Sequence, residues 1–409
     1  MSQVFILGGA QTDFARNWAR AGSDLFGEIQ STAQRALEAA QLEASAIESA
    51  HIGNFVAELF CKQGQLGGLL CSAVPEFHHL PVMRHEAACA SGSMAVLAGM
   101  RDILSGAYAC VMIMGIEQMR NVPGDQAADF LGAAAWQGKE GLHARYMWPH
   151  LFNELETEYA RRYGLDRAYL AAIAEKNYTN AKRNPNAQTR GWTFETGAFS
   201  EHDQLNPIIE GHIRRQDCGQ VSDGAACIIL ASEEFTHRWA QQRGMSVEHC
   251  ARIAGWGHRC APMSQAEKLR LSAHQPRLFP HVAATIQDAF TRAGISAVSQ
   301  LDAIETHDCF SITEYMAIDH FGLSPPGQAW QAIENGSVFM DGACPINPSG
   351  GLIGLGHPVG ATGVRMVLDA AKQVTGQAGG YQVDDAQRVA CLNIGGSTTT
   401  VASFVVARN

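Results

Sequence analysis

Two short stretches that lie far apart in the chain carry residue types that could form one active site. Residues 86–93 read Glu-Ala-Ala-Cys-Ala-Ser-Gly-Ser and contain Cys89, whereas residues 354–363 read Gly-Leu-Gly-His-Pro-Val-Gly-Ala-Thr-Gly and contain His357. Each stretch is rich in small residues and precedes an apolar run with helical spacing. A thiol beside an imidazole can act as a nucleophile, because the imidazole can take the thiol proton. The pair therefore suggests covalent acyl transfer.

The residues around Cys89 predict a cysteine at the start of a helix. Apolar residues recur at helical spacing from Met94 to Leu104, and Gly106 offers an end to the helix. In the first turn of a helix, unpaired N–H groups and the positive end of the dipole lower the pKa of a thiol. We therefore expect a lowered pKa for Cys89. A tightly packed core cysteine in an Ala-rich helix is the competing interpretation.

His357 precedes Pro358, which favours an extended backbone just ahead of the next predicted helix. The glycines around it also allow a competing interpretation as a nucleotide-binding loop, since Gly354, Gly356 and Gly360 come close to the dinucleotide fingerprint. The spacing differs by one residue, and no acidic residue follows where the ribose would need one. We therefore favour a catalytic imidazole at this position.

The sequence His-Asp-Cys-Phe at residues 307–310 follows a short apolar strand, where open α/β sheets place their ligands. A metal site is the alternative interpretation. Adjacent residues on a strand point to opposite faces, so His307 and Asp308 cannot chelate one ion together, and no partner with zinc-ligand spacing is visible. We therefore predict no metal.

The composition favours a large globular protein. The chain has 409 residues, of which 46% are hydrophobic, and a formal net charge of −10, which argues against nucleic acid as the main partner. We expect no membrane span, because no run approaches the roughly 20 apolar residues required. The first residues lack the basic region of a signal peptide. The 11 cysteines, an odd number, fit a reduced cytoplasmic protein better than a disulfide framework.

The chain also contains an internal duplication. Residues 25–42 match residues 278–295 in register, and Thr32, Gln34, Ala36 and Ala40 recur as Thr285, Gln287, Ala289 and Ala293. A second match sets the Ser-Gly at 91–92 against the Thr-Gly at 362–363. Helical patterns that alternate with short apolar strands are typical of parallel βα units. We therefore predict two similar α/β halves, 1–120 and 245–409, with an inserted loop domain at 121–244.

The chain resembles the thiolase superfamily over nearly its whole length. The motifs that carry the resemblance stand in thiolase order: Cys-Ala-Ser-Gly at 89–92, Val-Ser-Asp-Gly-Ala at 221–225, Asn-Pro-Ser-Gly-Gly at 347–351 and Gly-His-Pro-Val-Gly-Ala-Thr-Gly at 356–363. The His-Asp-Cys-Phe motif is similar to that of sterol-carrier-protein-type thiolases and related acetyl-CoA acetyltransferases. The resemblance implies a thiolase-like fold with five layers, α-β-α-β-α.

The resemblance implies an acyl-CoA C-acyltransferase that cleaves 3-ketoacyl-CoA with CoA, or condenses acetyl-CoA in reverse. Cys89 would carry the acyl group as a thioester, and His357 would activate its thiol. The backbone N–H groups of Cys89 and Gly395 would form one oxyanion hole, and His307 with His357 would form the other. No cofactor is expected beyond the CoA thioesters that serve as substrates.

The sequence departs from the family at the second thiol. Most thiolases have a Cys-x-Gly near the C-terminus, whereas this chain has Asn393 there and Cys391 two residues earlier. We favour Cys309 as the proton-transferring thiol, as in the sterol-carrier-type relatives. Cys391 stays open as a candidate, because it shares a strand face with Asn393.

Three further residues are candidates for contacts with CoA because they lie in the predicted insert: His150, Arg183 and Arg190. Surface salt bridges are an equal alternative for them. The resemblance implies a homodimer or homotetramer and allows a small OB-fold partner. Two other functions stay open: a thiolase-fold condensing enzyme or acetyltransferase with a non-CoA acceptor, and a non-catalytic lipid-binding subunit.

Overall fold

A computed structural model describes residues 3–409. Its strands are β1 (Val4–Gln11), β2 (Ser49–Gly53), β3 (Val82–His85), β4 (Cys110–Glu117), β5 (Ile208–Glu210), β6 (Ile213–Arg214), β7 (Gly224–Ser232), β8 (Ala251–Cys260), β9 (Ala303–Thr306), β10 (Arg388–Gly395) and β11 (Thr400–Arg408).

The α-helices are α1 (Leu25–Ala40), α2 (Ala57–Phe60), α3 (Leu66–Ala73), α4 (Ser91–Leu104), α5 (Gly124–Gly132), α6 (Met147–Tyr163), α7 (Arg167–Ala181), α8 (Glu233–Gln242), α9 (Gln265–Leu271), α10 (Pro280–Ala293), α11 (Ser311–Phe321), α12 (Trp330–Glu334) and α13 (Thr362–Val374). None of these described helices is long and apolar enough to cross a membrane.

Nine of the strands form one mixed sheet in the order β3-β2-β4-β7-β1-β8-β11-β10-β9. The sheet consists of two groups, β3 to β1 and β8 to β9, that are joined where β1 and β8 pair over only two residue pairs. Within each group the outer strands run parallel, and antiparallel strands lie next to the junction. The first group combines four strands of the predicted first half with β7 of the predicted insert, and the second group consists of strands from the predicted second half.

The duplicated segments occupy equivalent places in the two groups. The matching stretches that begin at Leu25 and Leu278 form α1 and α10, whose ends follow ordinary helix chemistry. The Asp24 side chain accepts a hydrogen bond from Gly27 N at 2.9 Å and so caps α1. Helix α10 starts on Pro280 and ends at Gly294, which adopts a left-handed φ of 69°.

Three apolar clusters divide the molecule into layers. The first packs α1 and α3 against one face of β4 and β7, with Ile29 and Met112 among its members. The second packs α4 and α13 between the two sheet groups, and the third packs α10 and α11 on the far face of β10 and β11. The order helix–sheet–helix–sheet–helix confirms the predicted five-layered thiolase-like fold.

The two central helices approach each other at a pair of glycines. A Cβ on Gly92 would lie 2.7 Å from the Gly360 carbonyl oxygen, and a Cβ on Gly363 would lie 2.4 Å from the Ser93 nitrogen. Real Cβ atoms do not make such contacts, so only glycine permits this approach of the two backbones. The start of α4 is therefore held directly against the start of α13.

The segment predicted as an insert, 121–244, has mixed structure. It contributes α5, α6 and α7 and the small β5-β6 hairpin. Before residue 244 it returns to the main sheet, because β7 pairs with β4 on one side and with β1 on the other. A boundary drawn on sheet pairing would therefore fall before Gly224, whereas the exact domain limits stay a prediction.

Candidate functional site

Cys89 lies on a tight turn immediately before α4. The turn is a short 3₁₀ segment, Ala88–Ala90, and Ala88 has a left-handed φ of 51°, which is unfavourable for a residue with a Cβ. The Ser91 side chain stabilises this conformation: its hydroxyl donates to the Ala88 carbonyl at 2.6 Å and accepts from Ala87 N at 2.9 Å. The thiol is thereby held at the edge of a cavity.

The pKa of Cys89 is not lowered as its helix-start position led us to expect. Burial raises the pKa of this thiol to about 12, which outweighs a hydrogen bond from the backbone N–H of Gly396. The expectation was wrong because sequence spacing reveals the helix but not the desolvation of the sulfur. The resting Cys89 is a neutral thiol, so it needs a base before it can attack.

The loop that carries His357 is held in place by contacts with the first half of the chain and with the segment between the halves. Its backbone N–H donates to the Ser222 hydroxyl at 2.9 Å. Three residues later, the Gly360 N–H donates to the Glu117 carboxylate at 3.0 Å, at the end of β4. Burial raises the pKa of Glu117 to about 7. The loop that carries the imidazole is thus fixed to the half that carries the thiol.

The hydrogen bonds of His357 define its tautomer. The Thr362 hydroxyl donates its only proton to the Pro358 carbonyl at 3.0 Å, so it must accept from His357 Nδ1, which lies 2.7 Å away. Nδ1 therefore carries the proton. Nε2 is buried and has no hydrogen-bond partner among the described residues. Burial lowers the pKa of His357 to about 3, so the ring is neutral and Nε2 is a free base.

His307 completes a close cluster with these two residues. One side-chain donor atom from each of Cys89, His307 and His357 lies within 4.8 Å of the other two. The imidazole rings meet edge to face, with centroids 5.2 Å apart. A thiol and two imidazoles are also ligands that zinc accepts. Neighbouring residues on one strand do not reveal this cluster of residues from distant segments, and the absence of a metal stays a prediction.

Asp308 faces away from the cluster and has a positioning role that the sequence did not reveal. Its carboxylate accepts hydrogen bonds from Leu352 N, Ile353 N and the Asn177 side chain. Leu352 and Ile353 belong to a π-helical turn, Gly351–Leu355, that leads directly to His357. Burial raises the pKa of Asp308 to about 7. Asp308 therefore ties the His-Asp-Cys-Phe motif to the loop of the second histidine.

The two candidates for the second thiol have different surroundings. Cys309 lines the same cavity as Cys89, and the nearby Cys89 thiol contributes to the raised pKa of Cys309. Cys391 is 1% exposed, and its thiol points to the Met366 carbonyl on α13 at 3.4 Å. Burial raises the pKa of both thiols well above the ordinary value. The geometry brings only Cys309 to the cavity.

The cavity has a volume of about 310 Å³. Cys89, Cys309 and His357 lie on its wall together with Gly396. Most of the remaining wall is apolar or aromatic: Met119, Leu131, Trp148, Phe152, Ile209 and Phe310. Apart from Met119 and Phe310, these residues come from the segment between the halves, where no periodic pattern identified them. The site can accept an apolar chain or a pantetheine arm next to the thiols.

The glycine at the thiol is one residue beyond the position expected from the sequence. The backbone N–H of Gly396 hydrogen bonds to the Cys89 sulfur, and Gly396 lines the cavity. Gly395 instead packs against the preceding loop, because a Cβ there would lie 2.2 Å from the Ala87 carbonyl oxygen. Gly396 is therefore the glycine whose N–H contacts the sulfur, and the role of Gly395 as an oxyanion donor stays a prediction.

The three residues predicted to contact CoA do not line the cavity. His150 lies 3.5 Å from Glu154, and Arg190 forms an ion pair with Asp13 at 2.7 Å. Arg183 is exposed. The sequence missed Arg215, an exposed residue on the cavity wall that makes no ion pair among the described residues. Its free guanidinium gives the cavity rim a positive charge.

Comparison with known proteins agrees with this geometry. The model of the thiolase N-terminal domain matches residues 4–191, and that of the thiolase C-terminal domain-like family matches residues 264–408. The acetyl-CoA acetyltransferase of Methanothermobacter thermautotrophicus is 30% identical over 412 residues, covering 100% of both chains. Sterol carrier protein 2 of Oryctolagus cuniculus is 30% identical over 97% of this chain and 70% of its own length.

Two solved structures share the fold. One is described as an Ltp2-ChsH2(DUF35) aldolase, with a TM-score of 0.79 and 19% identity over 99% of this chain and 98% of the other. The second is human mitochondrial 3-ketoacyl-CoA thiolase in complex with CoA, with a TM-score of 0.69 and 16% identity over 100% of this chain and 98% of the other.

The fold, the matched domains and the relatives together define the class of the protein. The chain belongs to the thiolase family. It is an acyl-CoA acyltransferase, and its substrates are CoA thioesters.

Proposed function

We propose that this acyltransferase moves acyl groups between thiols through a thioester on Cys89, in thiolysis of a 3-ketoacyl-CoA and in the reverse condensation. The observation that carries the proposal is the shared wall of one cavity, where Cys89, Cys309 and the unprotonated nitrogen of His357 meet. The family and its acetyl-CoA acetyltransferase relative support the choice of reaction.

In thiolysis, His357 Nε2 takes the proton of the neutral Cys89 thiol as the sulfur attacks the 3-keto carbon. The bond between C2 and C3 then breaks, and its electron pair forms the enolate of acetyl-CoA. The Cys309 thiol gives its proton to that enolate carbon. Acetyl-CoA leaves, and Cys89 retains the shortened acyl group.

The second half of the cycle restores both cysteines. The Cys309 thiolate takes the proton of the incoming CoA thiol, and the CoA sulfur attacks the acyl-Cys89 carbonyl. The thioester bond to Cys89 breaks, and the proton held by His357 returns to its sulfur. Both steps pass through oxyanions, for which Gly396 N–H and His307 are the donors nearest to the site.

The proposed position for the CoA headgroup is at the cavity rim. Arg215 is the best candidate for contact with a phosphate, because its charge is exposed on the cavity wall and not paired with an acidic side chain in the described chain. Arg183 and Arg190, the residues expected from the sequence, are weaker candidates, since the second is bound to Asp13. No further cofactor is needed for the cycle described above.

For assembly, we propose a homodimer or homotetramer in the cytoplasm, with an OB-fold partner as an addition to be tested. The edge strand β3 supports self-association, since it has no neighbour on its outer side and Met83 on it is 53% exposed. The similarity in fold to the Ltp2-ChsH2(DUF35) aldolase supports the search for a partner. Mass photometry of the purified chain, alone and after co-expression with candidate partners, tests both ideas.

The reaction is tested with a panel of 3-ketoacyl-CoAs plus CoA, in which the thioester products are followed by mass. We expect acetyl-CoA and an acyl-CoA shorter by two carbons, and a peptide adduct on Cys89 when CoA is omitted. An adduct on another cysteine, or full activity of Cys89→Ala, would contradict the assignment. Turnover only with a non-CoA acceptor would favour a condensing enzyme, and no adduct with any substrate would favour a lipid-binding subunit.

A further inference from the structure

Asn393 occupies a position that the proposed cycle leaves without a role. It lies on β10 and is 1% exposed, between Ser93 on the first central helix and His307 at the cluster. An amide cannot serve as acid or base near neutral pH, so proton transfer is excluded for it. Its two polar ends nevertheless have specific partners on opposite sides.

The amide of Asn393 has its oxygen toward Ser93 and its nitrogen toward His307. The Ser93 hydroxyl donates to Asn393 Oδ1 at 2.7 Å. Nδ2 lies 3.2 Å from His307 Nδ1. Because an amide nitrogen carries only donors, His307 Nδ1 must be the acceptor and cannot carry a proton.

The remaining proton of His307 is therefore on Nε2. The ring is 1% exposed, and burial, together with the nearby His357, lowers the pKa of His307 well below its ordinary value, so the ring is neutral. His357 has the opposite tautomer, because Thr362 accepts from its Nδ1. The cluster thus contains one imidazole that donates from Nε2 and one that accepts at Nε2.

We propose that Asn393 is a positioning residue that holds His307 in its Nε2–H tautomer, so that His307 can donate a hydrogen bond to the oxygen that becomes negative during catalysis. The role of His307 as an oxyanion donor rests on the proposed function, whereas its tautomer does not. Without the amide, either nitrogen of the neutral ring could carry the proton, and the donor would be present only part of the time.

The central test replaces the amide donor by an acceptor of the same shape. In Asn393→Asp, a carboxylate oxygen faces His307 Nδ1 and draws the proton to that nitrogen, so Nε2 loses its hydrogen. We expect kcat to fall about 100-fold or more with little change in KM, as for loss of one oxyanion donor. Ser93→Ala, which frees the amide to rotate, should lose less. Ser403→Ala on the neighbouring strand removes a buried hydroxyl that has no partner in the described chain and serves as the matched control.

The tautomer is read directly by NMR of protein labelled with ¹⁵N-histidine, with the His307 signals identified by their loss in His307→Gln. We expect a protonated Nε2 in the unmodified protein and a protonated Nδ1 in Asn393→Asp. A protonated Nδ1 in the unmodified protein, or an unchanged tautomer in Asn393→Asp, would overturn the proposal. If Asn393→Asp does not fold, a mixture of tautomers in Ser93→Ala supports the proposal and an unchanged Nε2–H contradicts it.

This readout separates the inference from the proposed function. An Nε2–H tautomer without acylation of Cys89 would refute the cycle and leave the positioning role intact. Normal acylation and turnover with a proton on Nδ1 would refute the positioning role alone.

Discussion

Thr362 accepts a hydrogen bond from His357 and so keeps the other ring nitrogen free to act as a base. This role can be tested by one substitution that replaces the Thr362 hydroxyl with a methyl group. In Thr362→Val the side chain keeps its shape but can no longer accept from His357 Nδ1, which is 2.7 Å from the hydroxyl oxygen in the structure. The Nδ1 proton then lies in a buried site without a partner. The ring can relieve this by moving its proton to Nε2, where it blocks the base.

The size of the effect follows from the cost of that unpaired donor. A buried polar group that loses its partner costs about 1–3 kcal/mol. We take this cost as the free energy by which the tautomer with an unprotonated Nε2 becomes less favourable. The acylation rate then falls roughly 5- to 150-fold, since 1.4 kcal/mol corresponds to a factor of ten. Loss of stability alone would not produce this change in rate at a temperature where the variant is folded.

The assay is single-turnover acylation of Cys89 by acetoacetyl-CoA, quenched and followed by mass. Thr375→Val is the matched control: Thr375 lies just after the end of α13, at the far end of the helix from the site, and donates to the Ala371 carbonyl at 2.8 Å. We expect the control to acylate at the normal rate. An equal rate in Thr362→Val would refute the argument that this hydroxyl prepares His357.

Four other outcomes are expected. His357→Ala should slow acylation about 100-fold or more, as for loss of a general base, and unchanged thiol alkylation would refute the pairing. Because the pKa of His357 is lowered to about 3, the acylation rate should stay level as pH falls from 8 to about 5; a loss centred near 6.5 would show an ordinary imidazole. Cys309→Ala should keep acylation of Cys89 by acetyl-CoA, which forms no enolate, but should lose most condensation and thiolysis, whereas Cys391→Ala should lose much less; the reverse order would move the proton-transfer role. Arg215→Ala should raise KM for acyl-CoA several-fold, and Arg183→Ala should leave that KM unchanged.

The fold was predictable because the spacing of apolar residues and the internal repeat can be read directly from the sequence. Apolar strands separated by helical runs predicted parallel βα units, and the match between residues 25–42 and 278–295 predicted the two halves. The five layers then followed from the resemblance. The sequence did not reveal that the strands of both halves join between β1 and β8, since a contact of two residue pairs leaves no pattern.

The site was predictable only in part. Motifs identified Cys89, His357, His307 and Cys309, but not the surroundings that determine their charge. Burial raises the pKa of Cys89 to about 12 in place of the lowered value expected at a helix start. Hydrogen-bond partners such as Thr362 and Asn393 become visible only when distant segments are folded together. The apolar cavity wall was missed for the same reason.

The close glycine contact between the two central helices has a consequence for how this protein can change over evolutionary time. Since Gly92 and Gly363 fix the distance between the two helix starts, the thiol and the base belong to a frame that tolerates little variation. Most of the cavity wall comes instead from residues 119–221, outside that frame. Substitutions there can alter which acyl chain fits while the nucleophile and its base keep their geometry. The cavity wall can therefore change its substrate preference while the positions of the thiol and the base stay the same.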